Sequence, residues 1–253
     1  MNAEAIFAWR VERVCYHAWP ALRQERSGDW VFRFSNGLTK RANSVNPWQA
    51  PRGDLTAMLA AARAAYAREK LPLIVRLPSL VDTDIAQQLA ARGFTSEGET
   101  LTLYCELPQM PMRCDPDVTI QSHPDDAWLR RLWTLKGFDE DSCRTHRAIL
   151  SKIADPVAFM GLRIFGDIVA LGFVVIHDNL LCIESLITDP AQRGKGHGRR
   201  LLGAMLAWGI NQSVAGACLQ VTAQNAAAIR LYRGMGFSHE LYRYKYWRMT
   251  PAG

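Results

Sequence analysis

Arg193-Gly194-Lys195-Gly196-His197-Gly198 lies between a stretch that reads as a strand, Leu180 to Thr188, and one that reads as a helix, Arg199 to Ile210. In the second stretch Leu201, Leu202, Met205, Leu206 and Trp208 recur at a spacing that gives a helix one broad apolar face. A strand-to-helix junction made of glycines lets the backbone come close to a ligand. The N–H groups of the first helical turn lack intrahelical partners, and the helix dipole favours negative charge there, so the junction suits a phosphate. It is not a P-loop, because the GxxxxGK[ST] spacing is missing. The preceding strand closes an antiparallel meander and does not open a βαβ unit, which argues against a dinucleotide fingerprint.

Reading backward from the junction, Ala158 to Phe165, Ile168 to Ile176 and Leu180 to Thr188 form that meander, with turns at Gly166-Asp167 and His177-Asp178-Asn179. Before it come a short strand, Val118 to Ile120, and helices near Asp125 to Lys136 and Ser142 to Ile153, the latter stopped by Asp155-Pro156. Reading forward, Cys218 to Val221 is a strand, Ala226 to Arg233 a helix closed by Gly234 and Gly236, and Leu241 to Met249 a strand rich in Tyr and Trp. The predicted order is β, two helices, three β, α, β, α, β, an α/β chain with a mixed sheet.

Over residues 117–249 this pattern resembles the GNAT acyltransferase superfamily. Its (Q/R)-x-x-G-x-(G/A) hallmark after the fourth strand is matched by Arg193, Gly196 and Gly198. Three further features follow in the family's order: the strand from Glu184 to Pro190, Asn225 after the next strand, and Ile229 to Tyr232 ahead of Gly236-Phe237. The resemblance implies an N-acetyltransferase that uses acetyl-CoA. The turn Arg193, Gly194, Lys195, Gly196, His197, Gly198 and Arg199 would hold the CoA pyrophosphate. Backbone groups of Ile187 and Thr188 would pair with the pantetheine arm like an added strand, and Asn225 would also face the cofactor.

The same resemblance assigns direct attack of an amine on the thioester within a ternary complex. Tyr232 matches the usual proton donor to the leaving thiolate, a role open to a phenol of pKa ~10. Glu184 stands where relatives place the group that accepts the amine proton. A backbone N–H on the splayed strand would stabilise the oxygen charge. The plainer reading of Glu184 is a solvated strand carboxylate, and that of Tyr232 a packed core tyrosine. Cys182 has no recognisable His or Asp partner and is read as core; His146, His177 and His239 are read as surface or turn residues without metal spacing. No metal is expected. The acids Asp139, Glu140 and Asp141 are candidates for an acceptor wall or simply for a charged helix start.

With 253 residues, 49% apolar and 21% charged, the chain can bury a core, and its longest apolar run, from Ile168 to Ile176, is too short to span a bilayer. Six cysteines without a CxxC pair, and an N-terminus without a signal-peptide pattern, point to a cytoplasmic protein. A net charge of +6 admits a nucleic-acid reading, strongest at Arg193 to Arg200 and in the strand from Tyr242 to Trp247, but no nucleic-acid motif is present. The expected partner is a small-molecule or peptide amine, with neither nucleic acid nor membrane. A CoA-binding regulatory module without catalysis is the alternative.

Residues 1–112 read as a shortened, degenerate copy of the fold without a CoA site, and residues 113–253 as the catalytic domain. A strand from Gly37 to Pro47 ends in Val45-Asn46-Pro47 as the other half ends in Thr188-Asp189-Pro190. Asp54 would cap an Ala-rich helix reaching Lys70; Leu73 to Leu77 is a strand, Thr83 to Arg92 a helix, and Gly93-Phe94 repeats Gly236-Phe237 before a strand from Leu101 to Leu107. Aligning the phenylalanines places Tyr232 on Leu89 and Asn225 on Asp82; aligning the prolines places Glu184 on Arg41. The working residues are all replaced, and Trp48 to Gly53 holds no RxxGxG.

Overall fold

The computed structural model describes residues 2–51 and 55–249. The first half runs α1 (Ala3–Ala18), β1 (Arg23–Ser27), β2 (Trp30–Phe34), β3 (Val45–Pro47), α2 (Leu55–Arg68), β4 (Ile74–Pro78), α3 (Thr83–Ala91) and β5 (Phe94–Glu106). The second runs β6 (Val118–Gln121), α4 (Asp126–Lys136), α5 (Glu140–Leu150), β7 (Val157–Ile164), β8 (Asp167–His177), β9 (Leu180–Thr188), α6 (His197–Asn211), β10 (Gly216–Thr222), α7 (Ala226–Arg233) and β11 (His239–Met249).

The strands form one mixed sheet in the order β1-β2-β3-β4-β11-β5-β10-β9-β8-β7-β6. Each half contributes an antiparallel run, β1-β2-β3 or β7-β8-β9. Each then makes a parallel step through a helix, β3 to β4 over α2 and β9 to β10 over α6. At the centre the halves trade their last strands: β11 pairs with β4, β5 pairs with β10, and β5 and β11 run antiparallel to each other. The exchange welds both halves into a continuous sheet, since neither half's ladder closes without a strand from the other.

Apolar side chains fill both faces. Leu201, Leu202, Met205 and Ile210 of α6 pack with Met160, Leu162, Ala170, Val174 and Leu181 on one side of the second half. On the opposite side Val11, Val14, Cys15 and Ala18 of α1 join Trp128, Leu129 and Leu132 of α4 over Phe159, Leu171 and Phe173. Helix α1 therefore belongs to the first half by sequence and covers β8, β9 and β10 of the second. A buried ion pair anchors it: Arg76 on β4 grips Glu12, which also accepts from Tyr242 Oη of β11 at 2.5 Å.

The second half follows the predicted order, with α5 starting at Glu140, two residues before the expected Ser142. Asp139 sets that start by accepting from Ser142 N at 2.8 Å. In the first half, the strand expected from Gly37 to Pro47 is confined to Val45–Pro47. Upstream the backbone turns instead, with Gly37 and Thr39 at φ +79° and +61°. The Asn43 side chain takes the N–H groups of Ser35 and Gly37 and donates to the carbonyls of Leu38 and Thr39, so these polar groups need no ladder. The expected cap Asp54 lies outside the described residues.

Candidate active site

On β9 the pairing with β8 runs Phe173↔Glu184 and then Leu171↔Ile187, so Ser185 and Leu186 together face Gly172. This is a β-bulge, and Ser185 adopts φ +54° within it. Gly172 makes room for it. A Cβ there would lie 3.0 Å from Leu186 Cα and 3.1 Å from the Glu184 carbonyl oxygen. Parallel pairing of β9 with β10 stops at Ile183↔Leu219. Beyond it β9 diverges, leaving the backbone from Glu184 to Thr188 unpaired on that side.

Into this opening faces the turn before α6. Gly194 and Gly196 sit at φ +78° and +79°, a conformation that favours glycine. Gly196 caps α6 without a side-chain acceptor, and the Arg199 and Arg200 N–H groups turn back to its carbonyl at 3.0 Å. The N–H groups of His197 and Gly198, ahead of them, remain for a ligand. Gly198 sets the closest approach, because a Cβ there would meet Thr188 Oγ1 at 3.2 Å and Leu231 Cδ2 at 3.5 Å.

The result is a groove of about 650 Å³ lined by the bulge, the glycine turn and one face of α7. Of the residues expected at the cofactor, Ile187, Thr188, Arg193, Gly194, Gly196, His197, Gly198, Arg199 and Asn225 line it. Lys195 does not; its ammonium donates to Gln192 at 2.8 Å. Asn225 has a second job as the cap of α7, accepting from Ala228 N at 3.1 Å. Arg200, the last cation of the cluster, turns away to Asp115 and Asp117.

A smaller cavity of about 300 Å³ adjoins the groove. Lys136, Ser185, Leu186, Asn225 and Tyr232 line both, so the two spaces meet at the bulge. Tyr232 is 7% exposed, and burial, then the neighbouring Glu184, pushes its phenol up to about 12. Glu184 lines the smaller cavity and is 6% exposed, a buried strand residue and not a solvated one. Its Oε2 accepts from Arg41 Nη2 at 2.7 Å. Burial opposes the Arg41 charge, but Glu184 outweighs it and holds the guanidinium firmly protonated. Arg41 Nη1 donates to Gln220 at 3.0 Å, and the guanidinium lies over Trp19, 5.2 Å from the ring centroid.

Sequence reasoning missed Arg41, Lys136, Gln220 and Trp19 as site residues. Arg41 entered only as the first-half counterpart of Glu184, and no local motif marks a residue that reaches the site from 143 positions away. Asp139 and Asp141 border a different hollow beside Asn36, Gly37 and Leu38. The surface assignment of His146 is corrected: it is 0% exposed, set against Trp19 and Phe138, and burial, then Lys136, lowers it to about 4. Both aromatic neighbours line the small cavity, so His146 supports its wall.

Two donor clusters lie elsewhere among the described residues. The thiols of Cys15, Cys182 and Cys218 gather within 4.8 Å behind Glu184, entirely buried. His17 and His177 stack with centroids 3.5 Å apart, and each Nδ1 meets Asp155 at 3.0 Å, tying α1 to the end of β8. In the strand once open to a nucleic-acid reading, Tyr242, Tyr244 and Tyr246 are buried in the middle of the sheet. Arg243, Lys245 and Arg248 pair with Glu97, Glu99 and Glu240.

A bulged strand splayed from its parallel neighbour, with a glycine turn and helix start at the opening, defines a GNAT-type acetyltransferase. The chain belongs to the family whose model is described as "Probable histone acetyltransferase Rv0428c C-terminal", which matches residues 9–247 and so spans both halves. It is 25% identical over 236 residues to a protein of Bacillus subtilis (strain 168) described as "Uncharacterized N-acetyltransferase YobR", covering 90% of this chain and 94% of that protein. Among solved structures, a GCN5-related N-acetyltransferase from Kribbella flavida superposes with TM-score 0.68 at 17% identity, covering 100% of this chain and 97% of that one. A tandem GNAT protein from the clavulanic acid biosynthesis pathway gives TM-score 0.63 at 14% identity, covering 83% and 76%. No helix among the described residues is long and apolar enough to cross a membrane.

Proposed function

We propose that the protein transfers an acetyl group from acetyl-CoA to an amine by direct attack in a ternary complex. The observation that carries this reading is the shared wall: Tyr232 and the bulge face both a long groove and a small cavity. A donor and an acceptor placed in the two spaces would meet there, which removes much of the entropic cost of a bimolecular step.

The groove suits a phosphorylated, extended ligand. Left-handed glycines, the free N–H groups before Arg199 and the contact that a Cβ at Gly198 would make with Thr188 support a pyrophosphate held at the start of α6. Arg193 and Arg199 add charge. Backbone groups of Ile187 and Thr188, unpaired toward β10, would bond the pantetheine arm. Acetyl-CoA would supply the activated thioester.

The chain's own groups divide the remaining work. A backbone N–H of the bulge meets the charge developing on the carbonyl oxygen. Glu184 takes the proton from the acceptor ammonium, directly or through water. Tyr232, kept protonated at neutral pH by its raised pKa, donates to the departing thiolate. In this reading residues 1–112 bind no second acetyl-CoA and instead contribute Trp19, Thr39 and Arg41 to the acceptor cavity. We place the protein in the cytoplasm, with a small-molecule or peptide amine as acceptor. The test is thiol release from acetyl-CoA across amine classes, with mass spectrometry of the product.

A further inference from the structure

We propose that the acceptor is an amino acid or a close analogue, carrying a carboxylate within a few bonds of its reactive amine; this rests on the small cavity being the acceptor site. The charged residues lining that cavity are Arg41, Lys136 and Glu184, two cations against one carboxylate. Arg41 and Glu184 satisfy each other at 2.7 Å. Lys136 is exposed where it lines the cavity, and its ammonium has no ion pair or hydrogen bond among the described residues. An anion entering the cavity would be drawn by both cations. A polyamine or a lysine side chain would instead bring further positive charge into a cavity that already holds a surplus.

Arg41 is built to receive that anion. It comes from the short 3-10 turn Lys40–Ala42, its plane is steadied over Trp19, and Gln220 and Glu184 take one bond from each terminal nitrogen. A guanidinium has five N–H donors, so donors remain, and their planar fork matches a carboxylate. A carboxylate bound at Arg41 would hold the reactive amine, a few bonds away, close to Glu184. Amines without a carboxylate lose this positioning, so they are penalised in turnover as well as in binding.

The test compares matched pairs that differ only in the carboxylate: leucine with isoamylamine, phenylalanine with phenethylamine, and lysine with cadaverine. Nα-acetyl-lysine amide is added as a side-chain amine. Acetyl transfer is followed by thiol release and product mass. The expected result is kcat/KM at least ~30-fold higher for the amino acid of at least one pair, as for a buried charge pair with one partner removed. Arg41→Gln should erase most of that preference through the amino acid's KM and kcat, with acetyl-CoA affinity unchanged by calorimetry, and Arg41→Lys should restore part of it. Equal or better use of the decarboxylated amines, or of the lysine amide, would overturn the inference while leaving the acetyltransfer reading standing. No acetylation of any amine by a protein that binds acetyl-CoA would overturn both.

Discussion

Arg41 and Glu184 stand 143 residues apart and meet at 2.7 Å, the first on a turn that leads into β3 and the second on β9. The two strands hold the same place in their respective halves, each followed by a helix and a parallel neighbour. Aligning Pro47 with Pro190 puts the two residues at the same step of the chain, with opposite charges. The site is thus assembled across the junction of the halves.

If Glu184 takes the acceptor proton, Glu184→Gln lowers kcat/KM most at neutral pH. The deficit shrinks as pH rises, because more of the amine is then already neutral. A deficit that is constant from pH 7 to 9.5 would assign Glu184 to holding Arg41 in place instead.

Tyr232→Phe removes a phenol whose pKa of about 12 keeps it protonated over the working range. Turnover should fall by ~100 to 10,000-fold, the worth of one general acid. Acetyl-CoA affinity should change little, since the hydroxyl acts on the leaving sulfur. Single-turnover measurements with an unaltered chemical rate would exclude the role.

The second half was legible in the sequence because its elements carry strong local patterns: a meander with glycine and asparagine turns, and amphipathic helices at a 3.6 period. The glycine turn of the groove was legible for the same reason, being a run of consecutive residues, whereas the bulge and α7 line it from other parts of the chain. Helix α1 was not read. Its residues face two partners, with Trp9 against the first half's core and Val11, Val14 and Cys15 against the second's. The exchange of β5 and β11 leaves no local trace either, since each strand keeps the alternation it would have beside its own half. Gly172 carries no signal until its neighbour is known to bulge.

Gly172→Ala tests that bulge. Met205 can shift its terminal methyl from the added Cβ, but the contacts with Leu186 Cα and the Glu184 carbonyl are with backbone. Overpacking of this kind costs about 1–3 kcal/mol. For a chain of this size that is roughly 2–12 °C in Tm. Because relief requires β9 to move, acetyl-CoA binding should weaken with the glycine turn untouched. A variant as stable as wild type and equally tight for acetyl-CoA would show that the bulge does not depend on Gly172.

His146 predicts a pH effect on stability. Trp133 Nε1 donates to its Nδ1 at 3.1 Å, so the neutral ring carries its proton on Nε2, which is buried without a partner. With a folded pKa near 4 against ~6.5 unfolded, the unfolded chain binds more protons between those values. Stability contributed by the neutral ring is therefore complete above pH ~6.5 and is lost as pH falls toward 4, by up to ~3 kcal/mol. In melts from pH 7.5 to 4, His146→Phe should lose less stability than wild type. Parallel curves would place the titration elsewhere.

Isothermal calorimetry with acetyl-CoA, on wild type and on Gly196→Asp, tests the central claim most directly. The aspartate puts a side chain on a backbone at φ +79° and a negative charge where the pyrophosphate belongs. One acetyl-CoA per wild-type chain, and no detectable binding by a folded Gly196→Asp protein, is the predicted result. A stoichiometry of two, or a Gly196→Asp variant that binds as tightly as wild type, would contradict it.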